Sequence, residues 1–188
     1  VRGCDIARAL KTCAGTETKV SCVLDFPYGY SGAAAKRAIA RDYAARGVYE
    51  IDMVMNYGAA RGGDWATVET EIRGVVEEAH AKNVGVKVIF ETSQLDAEQI
   101  RRATEVSIAA GADFVKTSTG FNGAGATEEA VRIMLDTAAG RAKVKPSGGI
   151  RDFAAAKKYV EMGAARLGVG YSSCGVICSG EGASTENY

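Results

Sequence analysis

Histidine and proline are nearly missing from this chain: one histidine and two prolines in 188 residues. A catalytic or metal-binding histidine needs partners. The lone His80 stands in a charged helical stretch that supplies none, so it reads as a surface residue. Net charge is also missing, with 23 Lys plus Arg against 23 Asp plus Glu. That balance gives no reason to expect nucleic acid or an anionic membrane as partner. No apolar run approaches the roughly 20 residues that span a bilayer. Val1–Leu10 does not read as a basic-then-apolar signal peptide. Cysteine is present but unpatterned: Cys4, Cys13, Cys22, Cys174 and Cys178 are odd in number and match no zinc or redox spacing. They are expected to be reduced thiols, which fits a cytoplasmic setting.

What is present is an alternation. Short apolar, β-branched runs occur at 20–24, 49–55, 86–91, 113–118, 142–145 and 165–169. Between them lie segments of helical period at 33–46, 65–82, 97–110, 128–139 and 153–162. Strand followed by helix, repeated, predicts a parallel sheet in an α/β fold. Asp64, Asp96, Thr127 and Asp152 stand where helix N-caps fall, and Gly47, Gly111, Gly140 and Gly163 where helices end.

The strands also have two unlike faces. One parity collects Asp25, Asp52, Lys87, Glu91, Lys116, Ser118, Lys145 and Ser147. The other holds Ile51, Met53, Met55, Val88, Phe90, Val115 and Val144. An open sheet covered by helices on both sides would be apolar on both faces. A TIM-type (β/α) barrel is apolar outside and can turn polar inside near its C-terminal rim, where its active site lies. The asymmetry predicts the barrel.

Chemistry concentrates in Asp113-Phe114-Val115-Lys116-Thr117-Ser118-Thr119-Gly120. A lysine inside a buried strand must pair its charge or lose its proton. It is either one half of an ion pair or an amine with a lowered pKa, able to attack a carbonyl. Lys145 shares the inward parity on the next strand, and two neighbouring ammonium groups disfavour each other's charge. Asp52 is the inward carboxylate. It can offset the charge of Lys145, relay a proton, or both. Glycine-containing turns follow the last three strands, at Gly120-Phe121, at Ser147-Gly148-Gly149-Ile150 and at Gly170-Tyr171-Ser172-Ser173. Such turns let backbone N–H groups approach an anion, and barrel enzymes often hold phosphate after their last strands.

Lys116-Thr117-Ser118-Thr119-Gly120 together with Lys145-Pro146-Ser147-Gly148-Gly149-Ile150-Arg151 resembles the deoxyribose-phosphate aldolase family. Asp25-Phe26-Pro27-Tyr28-Gly29, Glu50-Ile51-Asp52-Met53-Val54, Val86 through Thr92 and Gly123 through Thr127 match it in the same order, from about Val20 to Ser173. The resemblance implies a class I aldolase that reversibly cleaves 2-deoxy-D-ribose 5-phosphate to D-glyceraldehyde 3-phosphate and acetaldehyde. It implies neither metal nor cofactor, because a protonated imine serves as electron sink. By position, Lys116 becomes the Schiff-base lysine, Lys145 its pKa-lowering neighbour and Asp52 the proton relay. Gly120, Ser147, Gly148, Gly149, Gly170, Ser172 and Ser173 become the phosphate cradle.

Two departures accompany it. Val1 aligns near the end of the family's second strand, so six full strands are expected instead of eight. Residues 1–188 then form one barrel domain lacking its first one or two βα units, with open edges prone to association into homo-oligomers. Asp25 stands where the family commonly has a small residue, and an extra carboxylate there could alter substrate preference or proton transfer. Two other readings compete: an imine-forming barrel aldolase for a different sugar phosphate, and a truncated barrel that binds phosphate without turnover.

Overall fold

The computed structural model describes residues 1–180, so residues 181–188 of the expected single domain lie outside the described residues. Five parallel strands form one sheet: β1 (Ser21–Leu24), β2 (Glu50–Val54), β3 (Gly85–Ile89), β4 (Phe114–Lys116) and β5 (Lys143–Lys145). Their order in space is their order in the chain. A doubly wound sheet reverses direction part-way, whereas a barrel wall winds one way throughout. Eight helices accompany them among the described residues: α1 (Ile6–Cys13), α2 (Ala33–Ala45), α3 (Tyr57–Arg61), α4 (Trp65–His80), α5 (Ala97–Ala109), α6 (Glu128–Ala138), α7 (Phe153–Glu161) and α8 (Tyr171–Ser179).

The four expected N-caps all accept a backbone N–H: Asp64 from Thr67, Asp96 from Gln99 in a reciprocal capping box, Thr127 from Ala130 and Asp152 from Ala155. The apolar strand parity is buried as expected. Ile51, Met53, Met55, Val88, Phe90, Val115 and Val144 join one core with Ile72, Val75, Ile100, Val131 and Met134 of the helices. Three helices go beyond the periodic segments of the sequence. α1 carries its apolar stripe on Ile6, Ala9, Leu10 and Cys13, and only Ile6 is fully buried. α3 is five residues long, started by the Asn56 side chain, which accepts from the Ala59 N–H. α8 begins within the last glycine-containing turn.

The sixth strand, expected over 165–169, is a correction. This segment makes one parallel bridge, Gly168 with Ser147, and donates from Ala165 to Val144 O and from Gly168 to Pro146 O. Among the described residues it has a strand neighbour on one side only, so no ladder extends through it. It nevertheless lies on a curved wall. Flat strands about 4.8 Å apart would hold this segment about 19 Å from β2, four steps away. Yet Arg166 Nη1 donates to both carboxylate oxygens of Glu50, at 2.8 and 3.1 Å. Only a sheet curled toward closure brings them together.

Candidate active site

β2, β3, β4 and β5 each send a charged side chain into the curve. β2 pairs with β3 so that Asp52 stands level with Lys87, and β4 pairs with β5 so that Lys116 stands level with Lys145. Lys116 and Asp52 are buried, at 8 % and 5 % exposure. The Asp52 carboxylate is divided. Its Oδ1 accepts from Ser21 Oγ at 2.6 Å and from Lys87 Nζ at 3.0 Å. Its Oδ2 faces Lys116 Nζ at 3.6 Å and Lys145 Nζ at 3.9 Å. Burial alone would raise the Asp52 pKa, but the charges of Lys87, Lys116 and Lys145 with the Ser21 hydroxyl hold it well below the usual carboxylate range. Burial pushes the Lys116 amine down; Asp52 opposes this and Lys87 adds to it. Burial likewise brings Lys145 down to about 8, against the pull of Asp52. The result is a pair of amines near one carboxylate, both more readily deprotonated than an ordinary lysine.

Above them opens a cavity of about 370 Å³, lined by Lys116, Lys145 and the turns that follow β4 and β5. Gly120, Ser147, Gly148 and Gly149 are in its wall, as the sequence suggested. The turns are pinned to each other. Thr117 Oγ1 donates to Ser147 O and accepts from Ser147 N, both at 3.0 Å, and Ala126 N donates to Ser147 O. Gly125 and Gly148 pass so closely that a Cβ on Gly125 would lie 2.2 Å from Gly148 O, so glycine is required there. Gly170, Ser172 and Ser173 are not in the wall. Gly168 and Val169 line it, and α8 starts just beyond them.

Four contributors are given no role by the sequence reasoning, although their positions appear in it. Arg151 lines the cavity, and its buried Nε has no hydrogen-bond partner among the described residues. Its signal is its place at the end of the Ser-Gly-Gly-Ile-Arg phrase. Phe121 also lines the cavity and packs edge-on against Phe26, ring centres 5.3 Å apart. Glu91, with φ +47°, accepts from the Thr119 hydroxyl and so fixes a wall residue. Lys87, which shares the inward parity, is fully buried beside Asp52. Asp25 is engaged elsewhere. Its carboxylate accepts from Ser31 N and Ser31 Oγ and lies 3.5 Å from Lys36 Nζ, outside the cavity wall. A larger groove of about 730 Å³ between α1 and the loop after β1 contains none of Lys87, Lys116 and Lys145. All five cysteines are free, and His80 lies on the surface, 2.9 Å from Asp113.

A family model described as DeoC/LacD family aldolase matches residues 10–179. The chain belongs to this family of aldolases. It is 44 % identical over 172 residues to a deoxyribose-phosphate aldolase of Exiguobacterium sp., covering 92 % of this chain and 76 % of the relative. It is 46 % identical over 167 residues to that of Deinococcus radiodurans, covering 89 % and 74 %. Among solved structures, the tetrameric deoxyribose phosphate aldolase of Aeropyrum pernix superposes with a TM-score of 0.83 at 29 % identity, over 93 % of this chain and 73 % of that one. The DeoC/LacD fold therefore accounts for the curled parallel wall and for the cavity at the C-terminal ends of its strands. Among the described residues of this aldolase no helix is long and apolar enough to cross a membrane.

Proposed function

We propose that the chain reversibly cleaves 2-deoxy-D-ribose 5-phosphate to D-glyceraldehyde 3-phosphate and acetaldehyde, through an imine on Lys116. The observation that carries this reading is the buried Lys116 amine, 3.6 Å from Asp52 Oδ2 and in one cavity with Lys145 and the glycine turns. The amine adds to the aldehyde carbon of the open-chain sugar, and loss of water leaves a protonated imine. The bond between the second and third carbons then breaks. Its electron pair moves toward the iminium nitrogen to give an enamine, while the third-carbon hydroxyl gives up its proton to a base. D-Glyceraldehyde 3-phosphate departs, the enamine takes a proton at carbon, and water hydrolyses the imine to acetaldehyde and the free amine.

Lys145, with a pKa near 8, suits proton exchange at neutral pH, and the distances of Asp52 Oδ2 to both amines support a relay between them. Gly120, Ser147, Gly148 and Gly149 offer backbone donors to the phosphate, and Arg151 Nε, without a partner among the described residues, adds a charged one. Gly170, Ser172 and Ser173 would join from the start of α8. Reaction with acetaldehyde and borohydride, followed by peptide mapping, is expected to place one N-ethyl group on Lys116. An adduct on Lys145 would reverse the two roles, and no adduct on either would end the aldolase reading. The free thiols support a reducing, cytoplasmic setting. The tetramer of the Aeropyrum pernix relative supports self-association, which sedimentation would test.

A further inference from the structure

The ionic network does not stop at the cavity floor. Lys87 Nζ sits beneath it with no exposed surface, donating to Glu50 Oε1 as well as to Asp52 Oδ1. Glu50 in turn holds Arg166, whose guanidinium lies 4.3 Å from the centre of the Phe114 ring. Lys87 Nζ is 5.3 Å and Lys143 Nζ 5.5 Å from the same ring. A single chain of contacts thus runs from Arg166 at the other end of the wall through Glu50, Lys87 and Asp52 to Lys116 and Lys145.

The charges along that chain are informative. Glu50 and Asp52 supply two negative charges, and Lys87 and Arg166 supply two positive ones. Asp52 is thus already shared with Lys87 before either reactive amine takes a proton. A proton on Lys116 or Lys145 meets only the remainder of that carboxylate's charge, with Glu91 beyond the end of β3 as a weaker counter-charge to Lys116, and the low-dielectric interior disfavours it. The division of the Asp52 carboxylate fits this. One oxygen is tied down by Ser21 and Lys87, and the other is left facing both amines at distances beyond a normal hydrogen bond.

We propose that Lys87 is a positioning residue for the aldolase reaction: it anchors Asp52 by Oδ1, turns Oδ2 toward the reactive amines and takes up the charge that would otherwise pair with Lys116. The proposal rests on the reading of Lys116 as the imine-forming lysine. The groups that face this network are Ser21 on β1, Glu50 and Asp52 on β2, Lys116 with the Phe114 ring on β4, Lys143 and Lys145 on β5, Arg166 after α7 and, beyond the end of β3, Glu91. The pull of Lys87 on both amines, downward in each case, agrees with the assignment.

The test is the pH dependence of labelling at Lys116 by acetaldehyde and cyanoborohydride, read by peptide mass in three proteins besides the unaltered chain. Lys87→Met removes the anchor. Lys87→Met with Glu50→Gln removes a cation and an anion together, so the buried set stays balanced and folding is spared. Lys87→Arg keeps the charge. In the first two, Asp52 pairs with Lys116, and the acid limb of labelling moves up by about one pH unit, a loss of about tenfold at neutral pH that alkaline pH restores. Lys87→Arg keeps the limb near its original place. A double variant that melts like the unaltered chain with its acid limb unmoved, or with labelling lowered evenly at every pH, overturns the proposal. Absence of Lys116 labelling in the unaltered chain sinks the parent reading, and this one with it.

Discussion

The chain buries lysine in two places, and the two are built in opposite proportion. Behind the loop after β1, Lys36 is fully buried with two carboxylates: it donates to Glu71 Oε2 and lies 3.5 Å from Asp25 Oδ2. It also donates to Gly29 O at 2.7 Å. One ammonium has three acceptors, and the loop carrying Asp25 and Gly29 is clamped to α4. In the cavity, Asp52 faces three lysines, and of these Lys87 has a second carboxylate, Glu50, while Lys116 and Lys145 share Asp52 alone within 4 Å. Residue type is the same in both places, and Lys87 is as deeply buried as Lys36, with Lys116 close behind and Lys145 partly open to the cavity. What differs is the supply of counter-charge, and that ratio separates a lysine that holds structure from one that can give up its proton.

The same substitution at the two places should therefore have opposite effects. Lys116→Met should lower turnover of the sugar phosphate roughly 10⁵-fold, the scale of losing a covalent nucleophile. The melting temperature should stay level or rise, because Asp52 keeps Lys87 and Lys145. Lys36→Met should do the reverse. It strands Asp25 and Glu71 without their cation, which costs about 3–5 kcal/mol for a broken buried pair. The protein that remains folded should still be labelled by acetaldehyde at Lys116. Kinetics and thermal melts on both variants check this; a stable, inactive Lys36→Met would erase the distinction.

How far this contrast is legible in the sequence follows from the same physics. The inward parity picks out Asp52, Lys116 and Lys145 because charge on a strand that must be buried is conspicuous. Lys36 is not conspicuous, since a lysine on a helix is ordinary unless the partner helix is known to cover it, and only the packing of α2 against α4 does that. Lys87 carries the right parity, but its role depends on which oxygen of Asp52 it takes, a matter of register between β2 and β3. The four N-caps are readable because their signal is local. The segment 165–169 has the composition of a strand, but whether a strand forms depends on neighbours that composition does not encode. Arg151 stands in a phrase that carries the family resemblance, and only the cavity shows its Nε lacking a partner.

A third prediction uses pH to sharpen the comparison. Lys145 has a folded pKa of about 8 against 10.5 for an ordinary lysine. Between those values this amine binds more proton in the unfolded chain than in the folded one, so its contribution to stability rises with pH across that window, against Cys22, Tyr43, Tyr57 and Tyr159, whose raised values act the other way. The cost of burying the amine is borne in full below about pH 8 and is relieved above it. Urea melts at a series of pH values should show this rise in the unaltered chain and a smaller one in Lys145→Met. An equal rise in both would mean that the wall does not depress this amine.

The smallest expected effect concerns the cradle. Gly149 has φ +77° and open space where a Cβ would point, with nothing within 4 Å. Gly140, at the end of α6, has φ +79° and the same open surroundings. A side chain at either position meets the same left-handed backbone cost, about 1–2 kcal/mol. They differ in place, because Gly149 is in the wall of the lysine cavity and Gly140 is not. Gly149→Leu should keep phosphate from the backbone donors. Charge-assisted hydrogen bonds are worth about 1.5–3 kcal/mol, so KM for the sugar phosphate should rise about ten- to a hundredfold. Acetaldehyde carries no phosphate, so its trapping on Lys116 should change little. Gly140→Leu should lower stability by a similar amount and leave both readouts alone. If the two variants raise KM equally, the effect is backbone strain and the turn is no phosphate site. If Gly149→Leu lowers acetaldehyde trapping as much as it raises KM, the turn shapes the lysine and not the cradle.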